Sequence, residues 1–167
     1  MKIALLTFGG VHIGVGHLFR CLNIASWIDI LGDEIDLSFH LMDMGKEPQD
    51  KAFTILNSRT NYPIFFQKES SLKNLSWDIL IVDLLDTPFQ IMNYLKKNSN
   101  MLVSIDNTSK SRIFSDININ PLYYGDYSGS SSNDYIGPQY QIISPNYYNG
   151  QSNFNSVVKN ILVIQGG

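Results

Sequence analysis

The 167-residue sequence contains one cysteine, Cys21. A single cysteine makes neither an internal disulfide nor a cysteine metal site, and nothing else in the sequence calls for a metal or a cofactor. Also missing is any apolar run near the ~20 residues that a membrane-spanning helix needs. Met1-Lys2 leads straight into a strand-like run with no small-residue cleavage site behind it, so no signal peptide is expected and the expected compartment is the cytoplasm. Charge is sparse. Only 16% of residues are Asp, Glu, Lys or Arg, the formal net charge is −3, and the basic residues form no cluster. That balance argues against a nucleic-acid partner. What the chain does have is 44% hydrophobic residues, enough for one domain with a sizeable core.

Those hydrophobic residues fall in short blocks. Residues 3–8 (IALLTF), 78–82 (DILIV), 101–105 (MLVSI) and 161–164 (ILVI) are nearly continuous apolar runs, the pattern of strands buried on both faces of a parallel sheet. Further strands are expected at 35–41 and 62–66, with 117–119 and 139–144 as short strands or irregular chain. Helices are expected over 17–31, 48–59 and 87–98. In the first, Leu18, Cys21, Leu22, Ala25 and Ile28 recur at helical spacing, and Gly32 is a plausible stop. The second opens on Pro48. The third carries Phe89, Met92 and Leu95 inward and Lys96-Lys97 in its last turn. Residues 123–133 read as an exposed loop. Strands alternating with helices predict an α/β domain with a doubly wound, mainly parallel sheet.

The clear strands end in polar or glycine residues. Gly9-Gly10 follow the first, Asp83 and Asp106 the next two, and Gln165-Gly166-Gly167 the last. In such sheets ligands bind outside the carboxyl ends of the strands. The bland alternative is that every strand has to end in something polar or flexible. The last strand stops at a glycine turn with no helix after it, so a second domain, from a longer parent chain or from another chain, is expected beyond Gly167.

Gly14-Val15-Gly16-His17 lies between the first strand and the first helix. Glycines there permit tight turns and close approach of a ligand, and a helix N-terminus favours anions. His17 and Arg20, three residues apart, are neighbours on the helix surface. A P-loop is excluded, because no Lys-Ser/Thr pair follows Gly16, and Phe19 stands where a dinucleotide fingerprint needs its third glycine. A histidine at a helix start is often only a cap. His12 and His40 take bland readings, solvent-facing and structural respectively. Tyr123, Tyr124, Tyr127, Tyr147 and Tyr148 either stack on a sugar or pack the surface.

The segment Gly14-Val15-Gly16-His17-Leu18-Phe19-Arg20-Cys21-Leu22 resembles the G-x-G-H-x-x-R-x-L signature of a sugar-nucleotide family. That family contains the UDP-2,4-diacetamido-2,4,6-trideoxy-β-L-altropyranose hydrolase of pseudaminic acid biosynthesis and the spore-coat polysaccharide protein SpsG, and is more distantly similar to the glycosyltransferase MurG. LIVD ending at Asp83, VSIDN with Asp106, the Gly137-Pro138 segment, the stretch 143–148 and ILVIQGG resemble further family segments in the same order. The chain departs from the family at Leu84-Leu85, where its hydrolases tend to have His-Tyr, and at Asn107, where they have a second acidic residue.

The resemblance implies a GT-B-type pair of Rossmann-like domains facing across a cleft. Residues 1–158 would be the N-terminal substrate and catalytic domain, and 159–167 the start of an absent nucleotide-binding domain. It implies hydrolysis of a UDP-activated amino sugar, or its transfer to an acceptor in surface polysaccharide biosynthesis. A non-catalytic sugar- or nucleotide-binding module is the alternative of another class. His17 would be catalytic, activating a water or hydroxyl. Gly14, Gly16, Arg20, Asp83 and Asp106 would line the substrate side, with the UDP-sugar and the second domain as partners.

Overall fold

Strand β1 (Lys2–Thr7) has five of its six residues buried, and the sheet is built outward from it. The computed structural model describes residues 1–10, 14–32, 34–43, 49–85, 87–122 and 133–148. To one side of β1 lie β2 (Asp36–Met42) and β3 (Ile64–Gln67). To the other lie β4 (Trp77–Asp83), β5 (Ser99–Ile105), β6 (Ile117–Asn120) and β7 (Asp134–Ile136). The seven strands run β3-β2-β1-β4-β5-β6-β7, and every pairing is parallel. The domain is a Rossmann-like α/β fold. The chain winds first to one side of β1 and then returns to start the other, so the gap between the carboxyl ends of β1 and β4 is the switch point at which such sheets hold ligands.

The helices are α1 (Gly16–Leu31), α2 (Asp50–Asn57), α3 (Phe89–Lys97) and the single turn α4 (Pro145–Tyr148). Strand side chains alternate between two cores. Ile3 and Leu5 of β1 and Leu37, Phe39 and Leu41 of β2 pack against Leu18, Cys21 and Ala25 of α1 and Leu56 of α2. Ala4, Leu6, Trp77, Leu80, Val82 and Leu102 face the other way, onto Met92 and Leu95 of α3. Each such leucine removed from water contributes about 1.5–3 kcal/mol. Gly32, at φ 70°, ends α1, as the sequence predicts.

The expected inward position of Phe89 is corrected. It is 50% exposed, because Ile91, Met92 and Leu95 form the inner stripe of α3 and residue 89 is rotated off it; its ring leans on Phe114 instead, with centroids 4.6 Å apart. Met101, expected to be buried, is 40% exposed. It sits near the amino end of β5, where cover from the described elements runs out. Residues 139–144 hold no strand; Pro138–Tyr140 is a 3-10 turn. Pro48, His12, Tyr123, Tyr124, Tyr127, the strand expected at 161–164, its glycines and the 158/159 boundary all lie outside the described residues.

His40 is the satisfied structural histidine that the sequence suggests. It is 4% exposed, with Nδ1 2.9 Å from Gln67 Nε2 and Nε2 3.1 Å from Ser38 Oγ. Burial holds its pKa down at about 4. The unfolded chain takes up this proton near ~6.5 and the folded chain only near that lower value. The stability contributed by neutral His40 is therefore complete above the unfolded pKa and is lost as pH falls toward the folded one. Urea unfolding should report a loss of about 3 kcal/mol between neutral pH and pH ~4, and His40→Gln should flatten that profile. An unchanged profile in the variant would refute the assignment.

Candidate functional site

Two glycines fix the route from β1 into α1. A Cβ on Gly9 would lie 2.8 Å from the Leu18 side chain, so α1 packs directly on the backbone there. Gly14 has φ 84°, a conformation that suits glycine, and it exchanges two 3.1 Å backbone hydrogen bonds with Gly10. The chain thereby turns sharply and starts α1 over the switch point. Gly16 is the first helical residue, and a Cβ there would meet nothing within 4 Å. No side chain caps the α1 N-terminus.

His17, in the first turn, stacks on Phe8 with ring centroids 4.6 Å apart and an interplanar angle of 28°. Its Nδ1 is 2.6 Å from Oδ1 of Asp83, the last residue of β4 and the register partner of Thr7. Asp83 is 0% exposed. Arg20 donates from Nε to Asp83 Oδ2 at 2.7 Å and from Nη2 to Oδ1 at 2.5 Å, and its Nη1 donates to Asp106, just past the end of β5. Asp106 has φ 55°, a left-handed conformation that aspartate tolerates better than most residues. Its own N–H bonds Ile119 O at 2.9 Å.

This geometry settles the imidazole tautomer. An ionised carboxylate only accepts, so the 2.6 Å contact places the His17 proton on Nδ1. The 3.2 Å approach of Arg20 Nη2 to the same nitrogen is then a contact between two donors that share one carboxylate. Among the described residues, Nε2 has no hydrogen-bond partner. Burial works against the Arg20 charge, but hydrogen bonding to Asp83 and the charges of Asp83 and Asp106 outweigh it and hold its pKa above the ordinary value. One cation sits between two carboxylates. Arg20 is thus spent inside the cluster rather than held out toward an anion.

The cluster opens on a cavity of about 340 Å³ that Gly16, His17, Arg20, Asp106, Asn23 and Gln141 help to line. The sequence pointed to the first four; Asn23 and Gln141 were missed. Asn23 extends the His17–Arg20 stripe by another three residues, a signal available in the sequence, whereas Gln141 arrives from after β7 with none. Asp83 contacts the cavity only through His17 and Arg20. Leu84 is buried and Leu85 exposed. Asn107 is buried, accepts from the Ser109 N–H at 3.1 Å and donates to Ser111 Oγ at 3.1 Å. Among the described residues, no three His, Cys, Asp or Glu side chains are grouped to hold a metal ion, and no helix is long and apolar enough to cross a membrane.

No family model matches the chain, and no solved structure matches it significantly. It is similar to the uncharacterized protein MJ1062 of Methanocaldococcus jannaschii, at 25% identity over 182 aligned residues. That alignment covers all of this chain and 37% of the relative.

Arg20→Met should leave the Asp83 carboxylate buried with its cation gone. A cost of about 3–5 kcal/mol is expected, read by urea unfolding. Adding Asp83→Asn should recover part of it, because the charge that needed a partner is removed. A loss under ~1 kcal/mol would mean that the cluster is no stronger than a surface ion pair.

Proposed function

We propose that the chain is the N-terminal, catalytic wall of a two-domain enzyme that hydrolyses a UDP-activated amino sugar, with His17 as general base. The observation that carries this reading is the His17–Asp83 pair: a buried carboxylate engages Nδ1 of an imidazole that lines the cavity at the switch point, which leaves Nε2 as the nitrogen available to a substrate. The resemblance of residues 14–22 to the sugar-nucleotide signature supplies the substrate class.

In this mechanism a water held in the cavity attacks the anomeric carbon. The new carbon–oxygen bond forms as the bond to the diphosphate breaks, and UDP leaves with that electron pair. The water proton passes to His17 Nε2. A histidine suits that role at neutral pH. Its positive charge then meets a cluster with one carboxylate in excess, so the proton transfer makes the buried site neutral rather than doubly charged. Asp83 is a positioning residue here, acting through the imidazole. Diphosphate needs no strong acid to leave, but it does need cations or backbone donors. Arg20 is already engaged with two aspartates, so those donors would come from a second domain. The chain spans 37% of the length of its relative, which is compatible with a further domain in the parent protein.

In the longer protein, His17→Asn should lower UDP release by ~10²–10⁴-fold while the fold is retained, since an asparagine amide can still donate a hydrogen bond to Asp83. Asp83→Asn should lower kcat more than it raises KM. Residues 1–167 alone should turn over no sugar nucleotide. Wild-type turnover by the His17→Asn protein would overturn the assignment of the base. Robust UDP release by the isolated chain would overturn the two-wall reading. Saturable UDP-sugar binding by the longer protein without any turnover would point to a binding module instead.

A further inference from the structure

At the opposite edge of the sheet, near the amino ends of the strands, lies a second cavity of about 340 Å³. Strand β2 creates it. An interior parallel strand is expected to be apolar on both faces. On the α1 side β2 obeys, with Leu37, Phe39 and Leu41. On the other side it carries Ser38 and His40, and the neighbouring β3 adds Gln67, which is 6% exposed. The core beneath α3 reaches Trp77 and Met42, and the polar residues of β2 and β3 floor the space beyond.

Buried polar side chains are normally fully hydrogen-bonded. His40 meets that rule through its two ring nitrogens, and Gln67 also bonds the Ser71 hydroxyl at 2.8 Å. The network ends at Ser38. This residue is 9% exposed, and among the described residues His40 is its one hydrogen-bond partner. A serine hydroxyl has one donor and two acceptor positions, so in either tautomer of His40 it retains capacity, and it lines the cavity. The walls beside it are flat. The Phe65 and Trp77 rings lie 5.2 and 5.4 Å from the His40 ring, and Phe65 stays 48% exposed. Lys2 and Asp36 also line the cavity, as register partners at the first positions of β1 and β2, so their charges offset each other.

We propose that this cavity is a binding site for a small, net-neutral heteroaromatic ring that stacks on the half-exposed Phe65, meets the steeply inclined Trp77 ring as an end wall, and hydrogen-bonds Ser38. Flat aromatic walls select a planar ligand. One buried hydroxyl selects a ring that carries a polar atom over a plain hydrocarbon. Offsetting charges at the rim give no preference to an anion or a cation. The volume lies at the small end of ligand pockets, which suits one ring with a substituent rather than a nucleotide. The site is independent of the His17 cluster, since it sits at the other end of the strands.

Nicotinamide and uracil are suitable probes, titrated into the purified chain while the Trp77 indole and Phe65 ring resonances are followed by NMR. Saturable ring-current shifts confined to these side chains and His40 are expected. The affinity should fall about tenfold or more in Ser38→Ala, as the loss of one buried hydrogen bond predicts. Phe65→Ala, at a half-exposed position, should weaken binding as well and serves if the Ser38 variant does not fold. Absence of saturable shifts for both probes up to about 20 mM would overturn the proposal. So would undiminished binding by a folded Ser38→Ala protein, or by Phe65→Ala where that is the variant available.

Discussion

A carboxylate buried without compensation would cost this fold several kcal/mol, and Asp83 is a carboxylate with no exposed surface. Its compensation is Arg20, which occupies both of its oxygens and then reaches across to Asp106. The arginine comes from α1, the two aspartates from the ends of β4 and β5. One guanidinium therefore ties the first helix to two strands on the far side of the switch point. The placement of His17, the left-handed turn at Asp106 and the mouth of the adjacent cavity all follow from that tie.

The cluster divides labour between charge and access. Asp83 holds a proton on one imidazole nitrogen and has no surface of its own. His17 is 16% exposed in its side chain, and Asp106 and Arg20 each 14%. The cavity wall combines the imidazole, the Asn23 and Gln141 amides, the apolar Leu122 and Ile142, and the paired charges of Arg20 and Asp106. Phe8 stacks beneath the imidazole and limits its tilt, while the hydrogen bond to Asp83 limits its rotation. Between them the ring is held without a covalent or metal tether.

Much of this was legible in the sequence. Strands β1, β4 and β5 announced themselves because a strand buried on both faces is apolar throughout, and Asp83 and Asp106 stood out because polar residues ended those runs. His17 and Arg20 were neighbours by spacing alone. What could not be read was the pairing across the chain: Arg20 meets Asp83 and Asp106 at separations of 63 and 86 residues, a consequence of the strand order. β7, α4 and the 3-10 turns were illegible for a different reason. They are three to six residues long, too short for a period to show. Phe89 misled because its apolar character was read without its angle around α3.

The paired hydrogen bonds between Gly10 and Gly14 have a consequence for how this protein can change. They clasp the β1–α1 connection at its base, on the path that delivers His17 to its carboxylate. A change of composition, and even of length, between the two clasped glycines comes at little cost to the His17–Asp83 contact, because lengthening a connection whose ends are already clasped adds only a small entropic term. A lineage that keeps the clasp is free to try new surfaces beside a fixed imidazole.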